Sequence, residues 1–123
     1  MKRILIIEDD LATIKLLKYY CQYAGYEVLE AHNGEEALKC ISIENIDLIL
    51  LDLMLPDTDG INITKVIRNN NKTCSIPIIV ISVISNFDQR NLVLEAGAND
   101  YLVKPPDKSI LLEKINELIN LNS

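Results

Sequence analysis

Carboxylate side chains stand directly after two apolar runs of the sequence. Residues 4–7 lead into Glu8 and Asp9, and residues 48–51 lead into Asp52. Carboxylates that collect at one place repel one another, which raises their pKa values and lowers stability. A hard divalent cation offsets this repulsion, and Mg²⁺ accepts one or two carboxylates together with several water molecules. The pattern therefore indicates a site for Mg²⁺, or for another divalent cation such as Mn²⁺.

A hydroxyl and an amine follow two further apolar runs. Ser82 comes after residues 77–81, and Lys104 comes after residues 101–103. A carboxylate, a metal ion, a lysine and a hydroxyl can together hold a phosphoryl group, because the positive charges neutralise its oxygens and the hydroxyl donates a hydrogen bond. In such a site Asp52 would be the nucleophile and would form an aspartyl-phosphate.

The elements that position these residues alternate regularly between strand and helix. Strands are predicted over residues 4–7, 26–30, 47–51, 77–81 and 101–103. Helices are predicted over 11–24, from Asn33, from Asp59, over 86–96 and from Asp107. Five strands that alternate with helices indicate a doubly wound α/β fold, in which helices cover both faces of a parallel sheet. The carboxyl ends of the strands then share one edge, where such folds bind their ligands.

Length, charge and composition limit the class of protein. The 123 residues suit one domain, and the hydrophobic fraction of 49% is enough for an aliphatic core. The net charge of −6 is unsuited to direct nucleic-acid binding, which needs a basic face. No apolar stretch reaches the length that spans a membrane. A single domain over residues 1–123 that does not itself bind nucleic acid or a membrane is therefore predicted.

The cysteines indicate the redox setting. Cys21, Cys40 and Cys74 are widely spaced and form no CxxC pair. This arrangement suggests neither a zinc site nor a disulfide framework, and each cysteine is expected to be a small buried apolar residue. A reducing, cytoplasmic location is the expectation.

Four sequence motifs resemble those of response-regulator receiver domains, the CheY-like family. They read 4-ILIIEDD-10, 48-LILLDLMLPDTDG-60, 79-IVIS-82 and 100-DYLVKPP-106. Asp52 and Ser82 are 30 positions apart, and Ser82 and Lys104 are 22 apart, as in that family. The resemblance covers essentially the whole chain. It implies five strand–helix units, (βα)5, with a parallel sheet of order 2-1-3-4-5.

The resemblance implies a role for each acid of the site. Asp52 matches the phosphoacceptor of the family. Asp9 matches a direct metal ligand, Glu8 matches an acid that reaches the metal through water, and Met54 would offer its backbone carbonyl to the same ion.

The resemblance also implies the residues of a switch. Ser82 matches the switch hydroxyl, Tyr101 the switch aromatic and Lys104 the lysine of the phosphorylation site. The Lys104–Pro105 bond matches a peptide bond that is usually cis in the family. The residues alone leave open that Tyr101 is static core packing.

The function implied by the resemblance is a phosphorylation-activated signalling switch of a two-component system or phosphorelay. Its phosphoryl donor would be a sensor histidine kinase or a phosphotransfer protein, and the surface of helix 4, strand 5 and helix 5 would change in response. The domain would catalyse only its own phosphorylation and slow dephosphorylation, so it is not expected to be a turnover enzyme. It would stand alone or precede a DNA-binding output domain in a longer transcriptional regulator.

Two other functions agree with parts of the pattern. A metal-dependent phosphohydrolase also uses an aspartate nucleophile after a strand, but it needs a second acid two residues later, where this chain has Met54. An interaction module that is never phosphorylated would not need the acids, the hydroxyl and the lysine together.

Other polar residues near these motifs have simpler interpretations. Asp10 is expected to cap the first helix, and Asp57 and Asp59 are expected to be turn and cap residues. His32, beside Asn33, is expected to be exposed and inert.

Three positions depart from the common pattern of the family. Val83 follows Ser82 where alanine is usual, Pro106 stands where an aromatic is frequent, and Ile110 takes an often acidic position. Val83 would either narrow the approach to the site or pack in the core. Ile110 would leave Arg90 without an ionic partner, which weakens the expectation of a homodimer through helix 4, strand 5 and helix 5.

Overall fold

One sheet of five parallel strands runs through the structure, a computed structural model that describes residues 1–84 and 86–121. The strands are β1 (Arg3–Ile7), β2 (Glu27–Ala31), β3 (Leu48–Leu51), β4 (Ile78–Ser82) and β5 (Asp100–Val103). They pair in the order β2-β1-β3-β4-β5, which confirms the predicted fold. Each strand begins and ends within one residue of its predicted bounds.

Five helices connect and cover the strands. They are α1 (Leu11–Tyr23), α2 (Gly34–Ile43), α3 (Gly60–Arg68), α4 (Phe87–Ala96) and α5 (Lys108–Leu121). Asp10, Asn33, Asp59 and Asp107 each accept a hydrogen bond from the backbone N–H three residues later, at 3.0, 2.8, 2.8 and 3.0 Å. These contacts confirm the predicted helix starts. Within the described residues, none of the helices is long and apolar enough to cross a membrane.

The turn between α1 and β2 shows why the second strand begins one residue later than predicted. Tyr26 donates its backbone N–H to the Cys21 carbonyl at 3.1 Å, so it closes the end of the helix instead of pairing in the sheet. Gly25 beside it has a φ of 92°, a left-handed conformation that glycine adopts without strain. The predicted helix stop at Gly25 is confirmed.

The register of the sheet places the carboxyl ends of its strands side by side. Ile7 lies opposite Leu51, and the Asp52 N–H donates to the Ile7 carbonyl at 3.0 Å. On the other side of the sheet, the Lys104 N–H donates to the Ser82 carbonyl at 2.9 Å. The backbone pairing thus continues one residue beyond the strands and fixes where the site residues begin.

Two apolar clusters pack against the two faces of the sheet. Alternate residues of each strand enter opposite clusters: in β1, Leu5 and Ile7 face α2, α3 and α4, whereas Ile4 and Ile6 face α1 and α5. Every residue of β3 and β4 is buried. Burial of each Leu or Ile side chain contributes about 1.5–3 kcal/mol. The aliphatic core therefore makes the sheet a firm support for the residues at its edge.

The three cysteines differ in burial. Cys21 is buried, and burial raises the pKa of its thiol to about 12. Cys40 is half-buried and Cys74 is exposed, so the prediction that each is buried is wrong for Cys74. The Cys74 N–H donates to the Asn70 carbonyl at 2.8 Å in a run of turns between α3 and β4, which keeps its side chain outside the core.

Candidate functional site

Three carboxylates meet at the carboxyl edge of the sheet. Glu8 and Asp9 follow β1, and Asp52 follows β3, the neighbouring strand. One oxygen from each side chain lies within 4.8 Å of the others. Glu8 and Asp52 are buried, whereas Asp9 is exposed. Three oxygen donors that are open to solvent on one side fit a hard divalent cation such as Mg²⁺. The fold thus brings together the three side chains that the sequence predicts as metal-binding.

Glu8 is the most deeply buried acid of this cluster, with 2% of its surface exposed. Its Oε2 accepts hydrogen bonds from the N–H groups of Asp9 and Asp10, both at 3.1 Å, and its Oε1 lies 2.5 Å from Lys104 Nζ. Burial raises the pKa of Glu8 to about 7; the Lys104 contact opposes the rise, and the charge of Asp52 adds to it. Both oxygens of Glu8 therefore already have partners within the protein.

Lys104 joins the two buried acids. Its Nζ also lies 3.4 Å from Asp52 Oδ2. Burial alone would lower the pKa of Lys104, but the contacts with Glu8 and Asp52 raise it, so its ammonium group stays charged. A charged amine between two buried carboxylates reduces their repulsion. The Lys104–Pro105 peptide bond is cis, as the resemblance implies.

Ser82 and Tyr101, the predicted switch residues, meet at the loop that follows β4. Ser82 is fully buried, and its Oγ accepts a hydrogen bond from the Ile84 N–H at 3.3 Å. The Tyr101 hydroxyl donates a hydrogen bond to the Ile84 carbonyl. Burial raises the pKa of Tyr101, and a hydrogen bond with the Ser82 side chain opposes that rise. Both hydroxyls therefore contact one loop, and the Tyr101 ring packs in the core.

Met54 lies beside the acids, in the loop between β3 and α3. Met54 and Asp59 face each other in an isolated antiparallel bridge. The hydrogen bonds of this bridge are made by the residues next to Met54 and next to Asp59, so the bridge does not involve the Met54 carbonyl. Gly60 donates its N–H to the Leu53 carbonyl at 2.7 Å. A Cβ at Gly60 would lie 2.8 Å from the Asp52 carbonyl oxygen, so only glycine lets the loop approach this closely.

Two cavities with mainly apolar linings flank the site. Met54 and Ile84 line one, of about 260 Å³. Val83 lines the other, of about 410 Å³, together with Lys104 and Pro106. Val83 is 65% exposed, so the alternative in which it packs in the core is wrong. The valine lies at the rim of the site, beside the lysine.

Asp57 makes a long-range contact that the sequence analysis missed. Its Oδ1 accepts a hydrogen bond from the Gly34 N–H at 2.7 Å, and its Oδ2 accepts one from the Glu35 N–H at 3.0 Å. These two hydrogen bonds lower the pKa of Asp57. Asp57 therefore caps α2 from a distance instead of serving only its own turn. The sequence held one signal for this contact, at the start of α2. Several N–H groups there have no partner within the helix, and Asn33 is a single local cap, so a second acceptor was to be expected.

Two groups of charged residues outside the site make contacts within the chain. His32 is exposed, as predicted, and lies between two carboxylates: its Nε2 is 3.5 Å from Glu30 Oε1, and its Nδ1 is 3.8 Å from Glu36 Oε1. Asp100 Oδ2 and Lys114 Nζ lie 2.5 Å apart and join β5 to α5 within the chain.

Comparison with known proteins places this geometry in a family. Residues 4–116 match the model of the response regulator receiver domain. The chain is 40% identical over 104 residues to the alkaline phosphatase synthesis transcriptional regulatory protein PhoP of Bacillus subtilis (strain 168), an alignment that covers 85% of this chain and 42% of that protein. The chain spans half or less of the length of the curated relatives it matches.

Solved structures share the fold over nearly the whole chain. A two-component response regulator from Clostridium difficile is 33% identical and superposes with a TM-score of 0.93, covering 100% of both chains. The receiver domain of the sensor histidine kinase PA1611 from Pseudomonas aeruginosa PAO1 is 29% identical, with a TM-score of 0.89, covering 97% of this chain and 98% of that chain. That crystal structure has a magnesium ion coordinated in the active site cleft.

Proposed function

The chain belongs to the response-regulator receiver domain family of two-component signalling, and we propose that residues 1–123 form one receiver domain that is switched by phosphorylation of Asp52. As a receiver domain it is a signalling switch rather than a conventional enzyme. One observation carries the proposal: the acids after β1 and β3 have oxygens within 4.8 Å of one another, and Lys104 Nζ lies 3.4 Å from Asp52.

Asp52 supplies the nucleophile in this proposal. One of its carboxylate oxygens would attack the phosphorus of a phosphohistidine on a sensor histidine kinase or a phosphotransfer protein. The oxygen–phosphorus bond forms as the phosphorus–nitrogen bond breaks, and the histidine nitrogen keeps the bonding electron pair. The product is an acyl phosphate on Asp52, a side chain that is only 6% exposed and therefore poorly hydrated.

Lys104 and Ser82 would bind the transferred group. The Lys104 ammonium lies between Glu8 and Asp52, so it can move from a carboxylate to a phosphoryl oxygen without leaving the site. The Ser82 hydroxyl would donate a hydrogen bond to a second phosphoryl oxygen. Both contacts would favour the phosphorylated form, because the phosphoryl group carries more negative charge than the free carboxylate does.

Asp9, Asp52 and the Met54 carbonyl are the groups that would hold Mg²⁺ or Mn²⁺. Glu8 would act through water, since Lys104 and two backbone N–H groups already occupy its oxygens. When bound, the ion supplies positive charge that offsets the charge of the phosphoryl group. The all-oxygen donor set supports this assignment, as does the magnesium ion in the cleft of the Pseudomonas receiver domain.

The output surface would lie on α4, β5 and α5. Ser82 and Tyr101 both contact Ile84, in the loop that leads into α4, so movement of either hydroxyl would reach that helix. Its partner would be a DNA-binding output domain in a longer chain or a second copy of this domain. The Asp100–Lys114 pair within the chain disfavours a dimer built on those two charges.

Intact-mass measurement after incubation with acetyl phosphate and Mg²⁺ tests the proposal. The wild type should gain one phosphate, and Asp52→Asn should gain none, because the amide is not a nucleophile for phosphorus. An adduct on both proteins would remove Asp52 as the acceptor. A parallel assay with a simple phosphate ester addresses the phosphohydrolase alternative, which requires steady release of phosphate over many turnovers.

A further inference from the structure

We propose that Asp57 is a positioning residue for the metal and phosphorylation site, which it serves by anchoring the loop between β3 and α3 to the start of α2. The inference rests on the proposed function, since it concerns the affinity of that site for Mg²⁺. Asp57 lies five positions after Asp52. Its two oxygens accept hydrogen bonds from the N–H groups of Gly34 and Glu35, at 2.7 and 3.0 Å. Asp57 would therefore act through the backbone rather than as a ligand.

The start of α2 is well suited to hold a carboxylate. The first N–H groups of a helix have no partner within it, and the helix dipole places partial positive charge there. The Asn33 side chain accepts a hydrogen bond from the Glu36 N–H at 2.8 Å. Asp57 accepts hydrogen bonds from the N–H groups of the two residues between Asn33 and Glu36. The start of α2 is therefore capped both by a residue beside it and by a residue distant in sequence.

The loop and the helix start also fit closely. A Cβ at Gly34 would lie 2.5 Å from Thr58 Cγ2 and 3.3 Å from Asp57 Oδ1, so a larger residue there would push the loop away. Three residues after Asp57, a Cβ at Gly60 would lie 2.8 Å from the Asp52 carbonyl oxygen. The loop is therefore held against α2 at Asp57 and Thr58, and against the end of β3 at Gly60.

A second backbone contact ties the other half of the site to the same region. The Glu8 N–H donates to the Ala31 carbonyl at 3.0 Å, at the end of the strand that leads into α2. The start of α2 is thus linked to the acids after β1 through β2, and to Asp52 through Asp57. The pairing of β1 with β3 sets the positions of Asp9 and Asp52 themselves, so the Asp57 anchor would act on the loop that carries the Met54 carbonyl.

Calorimetric titration with Mg²⁺ alone tests this role. Asp57→Ala should weaken Mg²⁺ binding about tenfold or more, as the loss of groups that orient metal ligands typically does. Asp59→Asn is the matched control: it removes one charge from the same loop, and asparagine still caps α3. At physiological ionic strength the control should bind within about twofold of the wild type, because exposed charges are screened. Asp57→Asn keeps one acceptor oxygen and should fall between the two.

Two further measurements separate positioning from folding. Urea unfolding in chelator shows whether each variant is folded, and Asp57→Asn serves if Asp57→Ala is not. Amide hydrogen exchange in chelator should be faster at Gly34, Glu35 and Gly60 in Asp57→Ala, a result that does not depend on metal. A folded Asp57 variant that binds Mg²⁺ as tightly as Asp59→Asn would overturn the inference. A wild type that does not bind Mg²⁺, or an Asp9→Ala variant that binds it equally well, would overturn the proposed function as well.

Discussion

The ammonium nitrogen of Lys104 lies 2.5 Å from a carboxylate oxygen of Glu8, a side chain with 2% of its surface exposed. The approach of the same nitrogen to Asp52 is longer, at 3.4 Å. In this structure the lysine is therefore paired chiefly with Glu8. A phosphoryl group on Asp52 would compete with Glu8 for this ammonium group, so the protonation state of Glu8 affects the site.

The metal-free protein should lose stability as pH rises through neutrality. Burial is the main cause that raises the pKa of Glu8 from an ordinary 4.5 to about 7 in the folded state, and the charge of Asp52 adds to the rise. Between these values the folded protein keeps a proton that the unfolded chain releases, so the free energy of unfolding falls as pH rises. At about 1.4 kcal/mol per pKa unit, the whole effect is at most about 3 kcal/mol.

Urea unfolding in chelator across this pH range measures the effect, with Glu8→Gln as the control. The glutamine does not titrate, so its stability should be nearly independent of pH there. The acids whose pKa values are lowered, Asp10, Glu30 and Asp57, lose their contributions only in more acidic solution. A wild-type stability that increases from pH 5 to 8 would contradict burial as the dominant cause.

Mg²⁺ should stabilise the folded protein without any phosphate donor. A ligand that binds only the native state at about 100 times its dissociation constant adds about 2.7 kcal/mol to the free energy of unfolding. Asp9→Ala should lose most of that gain, because Asp9 is one of the acids that would hold the ion. Asp9 is exposed, so its substitution should leave the fold itself intact. Thermal unfolding with and without Mg²⁺ measures the gain. An equal shift in Asp9→Ala would rule out the metal site.

Asp52→Asn should unfold at a higher temperature than the wild type in chelator. The Asp52 charge raises the pKa of Glu8, so its removal relieves repulsion in the cluster. A gain of about 1 kcal/mol corresponds to a rise in Tm of about 4 °C for a domain of this size. Differential scanning calorimetry checks the sign. A lower Tm would mean that the contact with Lys104 stabilises Asp52 more than its neighbours repel it.

The phosphorylated form should be long-lived. Met54 and Ile84 line the cavity beside Asp52, and neither side chain can hold the attacking water by a hydrogen bond. A polar replacement at either position that adds a hydrogen bond of about 1 kcal/mol should speed hydrolysis about fivefold. Loss of the phosphate adduct over time, after removal of the donor, gives the rate, with Met54→Leu as the control. Unchanged rates at both positions would remove the basis for this prediction.

Val83→Ala should accelerate phosphorylation by acetyl phosphate. Val83 is stiff about its first torsion and lines the cavity that reaches Lys104. If relief of crowding falls on the reactive state, the rate should increase about tenfold. Stability should change by less than about 0.5 kcal/mol, because the side chain is mostly exposed. Val66→Ala, at another exposed valine, controls for the loss of methyl groups. A Val83→Ala rate equal to that of the wild type would refute the gating role.

The sequence predicts those parts of the molecule that follow from local pattern and sheet geometry. Glu8 and Asp52 could be placed together because both end buried strands, and parallel strands end at one edge. Cys74 was placed wrongly because its turn has no periodicity that reports burial. The contact between Asp57 and Gly34 joins residues 23 positions apart and depends on how a loop folds back, which spacing does not encode. The exposure of Val83 likewise depends on the path of the chain after β4.

Tyr101 gives this site an optical signal of its own. The chain has no tryptophan and five tyrosines, and the other four are Tyr19, Tyr20, Tyr23 and Tyr26, in α1 and the turn that follows it. The emission of the protein therefore comes from four exposed or half-buried rings in and after α1, and from one buried ring whose hydroxyl donates a hydrogen bond to the Ile84 carbonyl. A change in that hydrogen bond would alter the emission of the Tyr101 phenol, so the native chain can report on its own switch without an added fluorophore.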